Sequence, residues 1–258
     1  MFIGLGAGLL SGLLGLGGGV VIVPSLLMIF SWQQFPNAQM MQIATSTSLA
    51  VIVTTSIMTT WVQSKRKTVK WHVLKWLVPG MMFGALLGIV VGQYLPSHLL
   101  KTTFAFFCII QAIKMILGQT PTKTHELRKV TIIIPFLLSV IIGMSSGLLG
   151  IGGGLLVIPL LLWYGLAVPE VSATSAASAF PTALSGAATA MVVGWHIPEL
   201  PPQCWGFVYW PAALVIGLSS LVAAPLGVWL VHHLPVLIVK RIFGGILLFV
   251  AFTVMPSF

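Results

Sequence analysis

Two stretches of this sequence strip the backbone bare: GLLGLGGGVVIVP from Gly12 to Pro24 and GLLGIGGGLLVIP from Gly147 to Pro159. Eight of their thirteen positions are identical, and the other five exchange one apolar residue for another. Glycine costs up to about 1 kcal/mol per residue in a helix interior, so three in a row predict a break at Gly15–Gly19 and again at Gly150–Gly154. A helix restarting after such a break leaves its first amides without helical acceptors and carries roughly half a positive charge at its start. Those amides belong to Gly17, Gly18, Gly19 and Val20 in the first copy and to Gly152, Gly153, Gly154 and Leu155 in the second. Without side chains in the way, an anion can approach them. The chemistry this pattern offers is recognition of negative charge.

Hydroxyls follow each copy. The tripeptide ATS occurs at Ala44–Ser46 and at Ala173–Ser175, just after the helix-start signals Pro36-Asn37 and Pro169-Glu170. Thr45, Ser46, Thr174 and Ser175 thus fall within the first turns of the next helices. There they either donate to an anion at the break or bond a carbonyl one turn earlier. Glycines four apart (Gly4, Gly8 and Gly12; Gly143 and Gly147) predict close helix packing.

Other motifs lead nowhere. GLGGG lacks the Lys-Ser/Thr ending of a phosphate loop and the spacing and distal acid of a dinucleotide fold. GMSSG (143–147) has the letters of a nucleophile elbow, but its twin GLLSG (8–12) lacks the middle serine, and the chain has no Asp. The acids are Glu126, Glu170 and Glu199, none in the middle of an apolar run, so no carboxylate relay or carboxylate ion site is expected. All six His lie near run ends or in loops, and Cys108 and Cys204 have no ligand spacing. The chain therefore reads as a non-enzyme with no cofactor and no metal.

The elements that must position these glycines are membrane helices. Of 258 residues, 58% are hydrophobic and 6% charged, with mean hydropathy +1.09. A soluble domain carries about 25% charged residues, so this is an integral membrane protein. The net charge of +9 reflects scarce acids. The bases lie in short clusters between apolar runs, which suits lipid headgroups and not nucleic acid. The expected partners are membrane lipid and a small anion; the sequence carries no signal for oligomeric state.

Apolar runs lie near 2–31, 40–62, 72–95, 98–118, 131–165, 171–193, 205–231 and 235–255. They predict an all-α polytopic fold of about eight membrane segments, with broken or re-entrant helices in the first and fifth. The first run has no basic flank and has an internal twin, so it reads as mature structure and not a signal peptide. Trp61, Trp71, Trp76, Trp163, Trp195, Trp205, Trp210 and Trp229 sit near run ends, as in an interfacial belt.

The repeat continues: ALLG (85–88) aligns with APLG (224–227), and YLPSHLLKTTF (94–104) with HLPVLIVKRIF (233–243). The expected organisation is a first membrane repeat (1–118), a cytoplasmic linker (119–130) and a second membrane repeat (131–258). If every run crosses once, the halves are parallel and nine bases face three across the membrane. If runs one and five are re-entrant hairpins, the halves are inverted and only Lys101 opposes the other eleven. The positive-inside tendency favours inverted repeats with the basic loops cytoplasmic, in a bacterial inner membrane.

The doubled glycine motif with its following ATS segments resembles the TauE/SafE family of sulfite exporters, a group of anion permeases, over nearly the whole chain. The resemblance implies about eight membrane segments arising by duplication and transport of sulfite, sulfonates such as sulfoacetate, or related sulfur anions. The family pattern falls on Gly12, Gly15, Gly17–Gly19 and Pro24, and again on Gly147, Gly150, Gly152–Gly154 and Pro159, with Thr45, Ser46, Thr174 and Ser175 beside them. A passive anion channel is the alternative, and an intramembrane enzyme a more distant one. Two departures stand out: the first run has a shorter helix before its glycines, and the second half replaces KRKTVK with the nearly uncharged HIPELPP.

Overall fold

The computed structural model describes residues 2–14, 18–65, 67–117, 133–195, 197, 200–231 and 236–255. Gly15, Gly17, Arg66, Glu199 and the expected linker 119–130 lie outside the described residues.

The chain is helical almost throughout. The helices are α1 (Phe2–Leu14), α2 (Gly19–Trp32), α3 (Met40–Lys65), α4 (Trp71–Gly92), α5 (Ser97–Leu117), α6 (Ile133–Leu149), α7 (Gly154–Trp163), α8 (Val168–Gly194), α9 (Trp210–Val231) and α10 (Val236–Val254). Two short strands, β1 (Cys204–Trp205) and β2 (Val208–Tyr209), pair antiparallel before α9. Among the described residues the eight apolar runs give ten helices, because the glycine stretches interrupt the first and fifth runs. Five helices (α3, α4, α5, α8 and α9) are long and apolar enough to cross a membrane. Phe106, Val222, Phe249 and Phe252 lie exposed on helix flanks. Such a surface belongs in lipid, and the protein is an integral membrane protein.

Glycine contacts fix the helix directions. Gly80 lies against Phe136 and Ser139, Gly84 against Val140 and Met144, and Gly88 against Met144 and Leu148, so α4 and α6 run parallel in close packing. The same holds for α1 and α9: Gly4 meets Ile216 and Ser219, Gly8 meets Ser220 and Ala223, and Gly12 meets Ala224 and Val228. A Cβ on any of these glycines would strike the neighbouring helix. In lipid, where hydrophobic burial does not drive helices together, such close backbone approach is a main source of association.

The central pair, α3 and α8, runs antiparallel. Gly186, late in α8, rests on Leu49, early in α3. The Lys70 amide that opens α4 donates to Thr174 Oγ1 in early α8 (3.1 Å), and the Tyr209 amide that opens α9 donates to Thr47 Oγ1 in early α3 (3.0 Å). Both starts are thereby tied across the centre of the bundle.

From these pairings the two broken runs fold back on themselves. Phe30, late in α2, stacks on Phe35 and meets Tyr209 edge-on, so α2 returns to the end where α1 begins. Leu160 and Leu161 of α7 pack with Val73, Leu77 and Val171, so α7 returns to the end where α6 and α4 begin. That second end is the basic one. Lys65, Lys67, Lys70 and Lys75 flank the α3–α4 turn, Lys114 is near the end of α5, and Arg241 is near the start of α10. Lys101, at the start of α5, lies at the opposite end.

Candidate functional site

The second glycine stretch forms a sharp elbow. Helix α6 ends when the amides of Gly150 and Ile151 both donate to the Ser146 carbonyl (2.9 and 3.3 Å). Gly150, Gly152 and Gly153 then adopt φ values of +68°, +76° and +76°, left-handed backbone that costs an L side chain roughly 1–2 kcal/mol. Helix α7 restarts with the amides of Leu156 and Val157 donating to the Gly153 carbonyl (3.1 and 3.0 Å). Among the described residues, the amides of Gly152, Gly153, Gly154 and Leu155 have no acceptor. They are buried, so they need a partner from outside the fold: water or an anion.

The first elbow repeats this cap. Gly18 has φ +74° and ψ −7°, against +76° and −18° for Gly153. Its carbonyl accepts from Val21 and Ile22 (3.1 and 3.2 Å), and Gly19 and Val20 open α2 fully buried. Gly17 is outside the described residues. The two elbows meet backbone to backbone. A Cβ on Gly19 would strike the Gly150 carbonyl oxygen and come within 2.9 Å of Ile151 Cα and 2.8 Å of Ile52 Cδ1. Gly150 in turn presses on the backbone of Thr45, and Gly152 on Ile52. These contacts lie about 8–18 Å along an α3 that is about 39 Å long, well inside the bundle.

The four hydroxyls that follow the motifs divide. Ser175 Oγ donates to the Gly154 carbonyl at 2.8 Å and so braces the second elbow directly. Thr45 Oγ1 donates to the Gln42 carbonyl at 3.1 Å, the local alternative, although its backbone touches Gly150. Thr174 accepts from Lys70 and faces the start of α4. Ser46, buried, lines a small cavity with Gln42, Thr45, Gly147, Leu148 and Phe207. The cavity holds about 10 Å³, room for about one water.

Two further serines belong to the site. Ser48 Oγ donates to the Gly150 carbonyl at 2.8 Å, a second brace on the elbow. Ser146 is fully buried, its Oγ has no partner among the described residues, and it lies 3.6 Å from where a Gly153 Cβ would stand. Ser146 had a sequence signal, since it aligns with Ser11 in the twin motif and Ser11 is buried too. Ser48 had none: its partner lies 102 residues away.

The site's positive character comes from backbone alone. The one ion pair among the described residues, Lys70 Nζ to Glu170 Oε1 at 2.7 Å, sits at the basic end. Glu170 also accepts from the Ala167 amide at 3.2 Å and so closes the first turn of α8. Ser145 lies within continuous α6 and donates to Ile141 at 2.9 Å, without the strand-to-helix turn that a nucleophile elbow requires. Among the described residues no His, Cys, Asp and Glu gather as metal ligands. The bare amides of the second elbow are chemically able to meet a small anion.

Comparison with known proteins agrees in kind. The family model "Sulfite exporter TauE/SafE" matches residues 1–254. A "probable membrane transporter protein" of Haemophilus influenzae is 32% identical over 254 residues, covering 97% of this chain and 95% of the relative. One of Methanocaldococcus jannaschii is 29% identical over 240 residues (88% and 84%), and YunE of Bacillus subtilis, named likewise, is 29% identical over 225 (79% and 82%). No solved structure matches the chain. With the family model covering nearly its full length, this chain belongs to the TauE/SafE family of membrane transporters.

Proposed function

We propose that this protein is a secondary carrier, working as an exporter, for small sulfur-containing oxyanions such as sulfite or organosulfonates. The anion binds where the two elbows meet, on the amides of Gly18, Gly19 and Val20 and of Gly152, Gly153, Gly154 and Leu155, with Ser146 as hydroxyl donor. Ser48 and Ser175 brace the second elbow, Thr174 ties the start of α4 to α8, Thr45 touches the elbow through its backbone, and Ser46 lines the cavity beside it. The observation that carries this reading is the backbone contact between Gly19 and Gly150 of two identically capped helix starts deep in the fold. Broken helices aiming their N-termini at an anion near the membrane midplane are recurrent transporter chemistry.

The same contacts support a duplicated architecture, 1–118 and 131–258, joined by a cytoplasmic linker at 119–130. In this reading each half contributes one re-entrant hairpin and three crossings, and the antiparallel run of α3 and α8 supports inverted halves. With positive-inside orientation the α3–α4 turn is cytoplasmic, in a bacterial inner membrane. Rocking one half against the other then exposes the elbows alternately. Export needs no second ion: an anion leaving a negative interior gains about 2.3 kcal/mol per charge per 100 mV. The backbone contact of Gly19 with Gly150 closes the centre and favours a carrier over a channel.

The test is counterflow in proteoliposomes at fixed voltage and pH across a panel of sulfite, sulfoacetate, sulfate and carboxylates. Saturable exchange, stimulated by unlabelled sulfite or sulfonate on the far side, is the expected result. Unitary currents would replace the carrier by a channel, and exchange of carboxylates alone would overturn the substrate class.

A further inference from the structure

The cavity beside the second elbow has the opposite chemistry from the elbow amides. It lies between the start of α3, the ends of α4 and α6 and the start of α5, and its lining sets the polar side chains of Gln42, Thr45, Ser46 and Gln93 beside apolar Ile89, Leu100 and Phe207. Gln42 is 93% buried (7% exposed), and its Nε2 donates to the Leu95 carbonyl at 2.9 Å. That bond fixes the amide, and Oε1 is left with no partner among the described residues. The Thr45 hydroxyl proton is likewise spent, on the Gln42 carbonyl. Gly147 and Leu148 are in the last turn of α6, where carbonyls run out of helical donors, and no amide among the described residues donates to theirs. That helix end carries roughly half a negative charge.

A gap of about 10 Å³ has room for one water or one dehydrated small cation. Unwound carbonyls and half-helix C-termini are the groups that hold a coupling cation in membrane carriers. We propose that Gln42 Oε1, the Thr45 and Ser46 hydroxyl oxygens and the Gly147 and Leu148 carbonyls form a site for a sodium-sized monovalent cation. The cation sits one helix turn from the elbow, so its charge favours an anion there, an effect that rests on the anion-binding reading above. No carboxylate is needed, because five neutral oxygens and a helix end suffice for a single positive charge.

The experiment measures binding of radioactive sodium-22 to the purified full-length protein in detergent with no oxyanion present, so its outcome is independent of whether the elbows bind anions. The expected result is saturable binding displaced by sodium chloride but not by potassium or choline chloride. Gln42→Leu and Thr45→Val should each weaken it about tenfold, the loss of one good contact to a charge. Gln42→Glu should retain or strengthen it, and Ser145→Ala, on the exposed face of α6, should leave it unchanged. Absence of saturable sodium binding by the folded wild-type protein overturns the proposal. So does binding that is unchanged in Gln42→Leu or Thr45→Val, which would assign the gap to an ordinary buried water.

Discussion

The two ends of the molecule are closed by different chemistry, although related sequence builds them. At the basic end Val73, Leu77, Met81, Val157, Leu160, Leu161, Leu166 and Val171 make an apolar plug between α4, α7 and α8. The Lys70–Glu170 pair sits over it. At the other end the equivalent helix start carries Gln42 in place of Val171, both two residues before an ATS, and a polar cavity remains. Both elbows have the same cap, so the asymmetry lies in the approaches and not in the binding backbone. The other end is packed too, around Leu26, Leu27, Phe30 and Met41, and differs in keeping a small cavity beside Gln42.

The elbows themselves give the largest expected effect. Gly18→Val and Gly153→Val each force a β-branched residue into left-handed backbone, and each should lower transport at least tenfold, the worth of about one charge-assisted bond. The neighbours differ. A Gly18 Cβ meets the Ala7 carbonyl oxygen at 2.8 Å, which is backbone, whereas a Gly153 Cβ meets Met81 Cε at 2.6 Å, a flexible tip. Gly18→Val should therefore lose more thermal stability, read as the detergent melting temperature. Normal transport by both variants would remove the elbows from the mechanism.

Exchanging the approach residues sharpens the contrast. Val171→Gln places an amide in the apolar plug and should cost about 1–3 kcal/mol through unpaired polar atoms. Gln42→Val should cost about 1 kcal/mol, for the lost bond to Leu95. Melting curves of the two variants compare the ends directly, and equal losses would mean the plug and the cavity are equivalent.

How far the sequence foretold this depends on the residue. The helix breaks were legible because consecutive glycines carry a helix cost that no neighbour offsets, and α2, α6 and α7 begin or end within a residue of the forecast. The packing role of Gly4, Gly8, Gly12, Gly143 and Gly147 was legible from spacing alone. The hydroxyl partners were not. Thr45 and Thr174 lie in matching positions, yet one donates within its own helix and the other accepts from the start of α4, because each depends on which neighbour comes within reach. The short β1–β2 ladder lacked any run long enough to signal a strand, and Ser48 and Gln42 acquired their roles only through contacts far away in sequence.

Smaller effects follow at the braces. Ser48→Ala and Ser175→Ala each remove one hydrogen bond to an elbow carbonyl and should cost about 1 kcal/mol. If the elbows act as one unit, the double variant should lose more than the sum in a thermal double-mutant cycle. The smallest effect belongs to the seal: Glu170→Gln breaks a partly exposed ion pair and should cost under about 1 kcal/mol, fading as salt is raised. A loss larger than that of Ser175→Ala would make the basic end a latch and not a packed plug.

The most direct measurement is amide NMR of the protein labelled with nitrogen-15 at its 27 glycines and titrated with sulfite in detergent. Saturable shifts concentrated on Gly18, Gly19, Gly152, Gly153 and Gly154 are predicted, with the packing glycines Gly80, Gly84 and Gly227 unmoved. Saturable sulfite binding that leaves the elbow amides where they were would contradict the account.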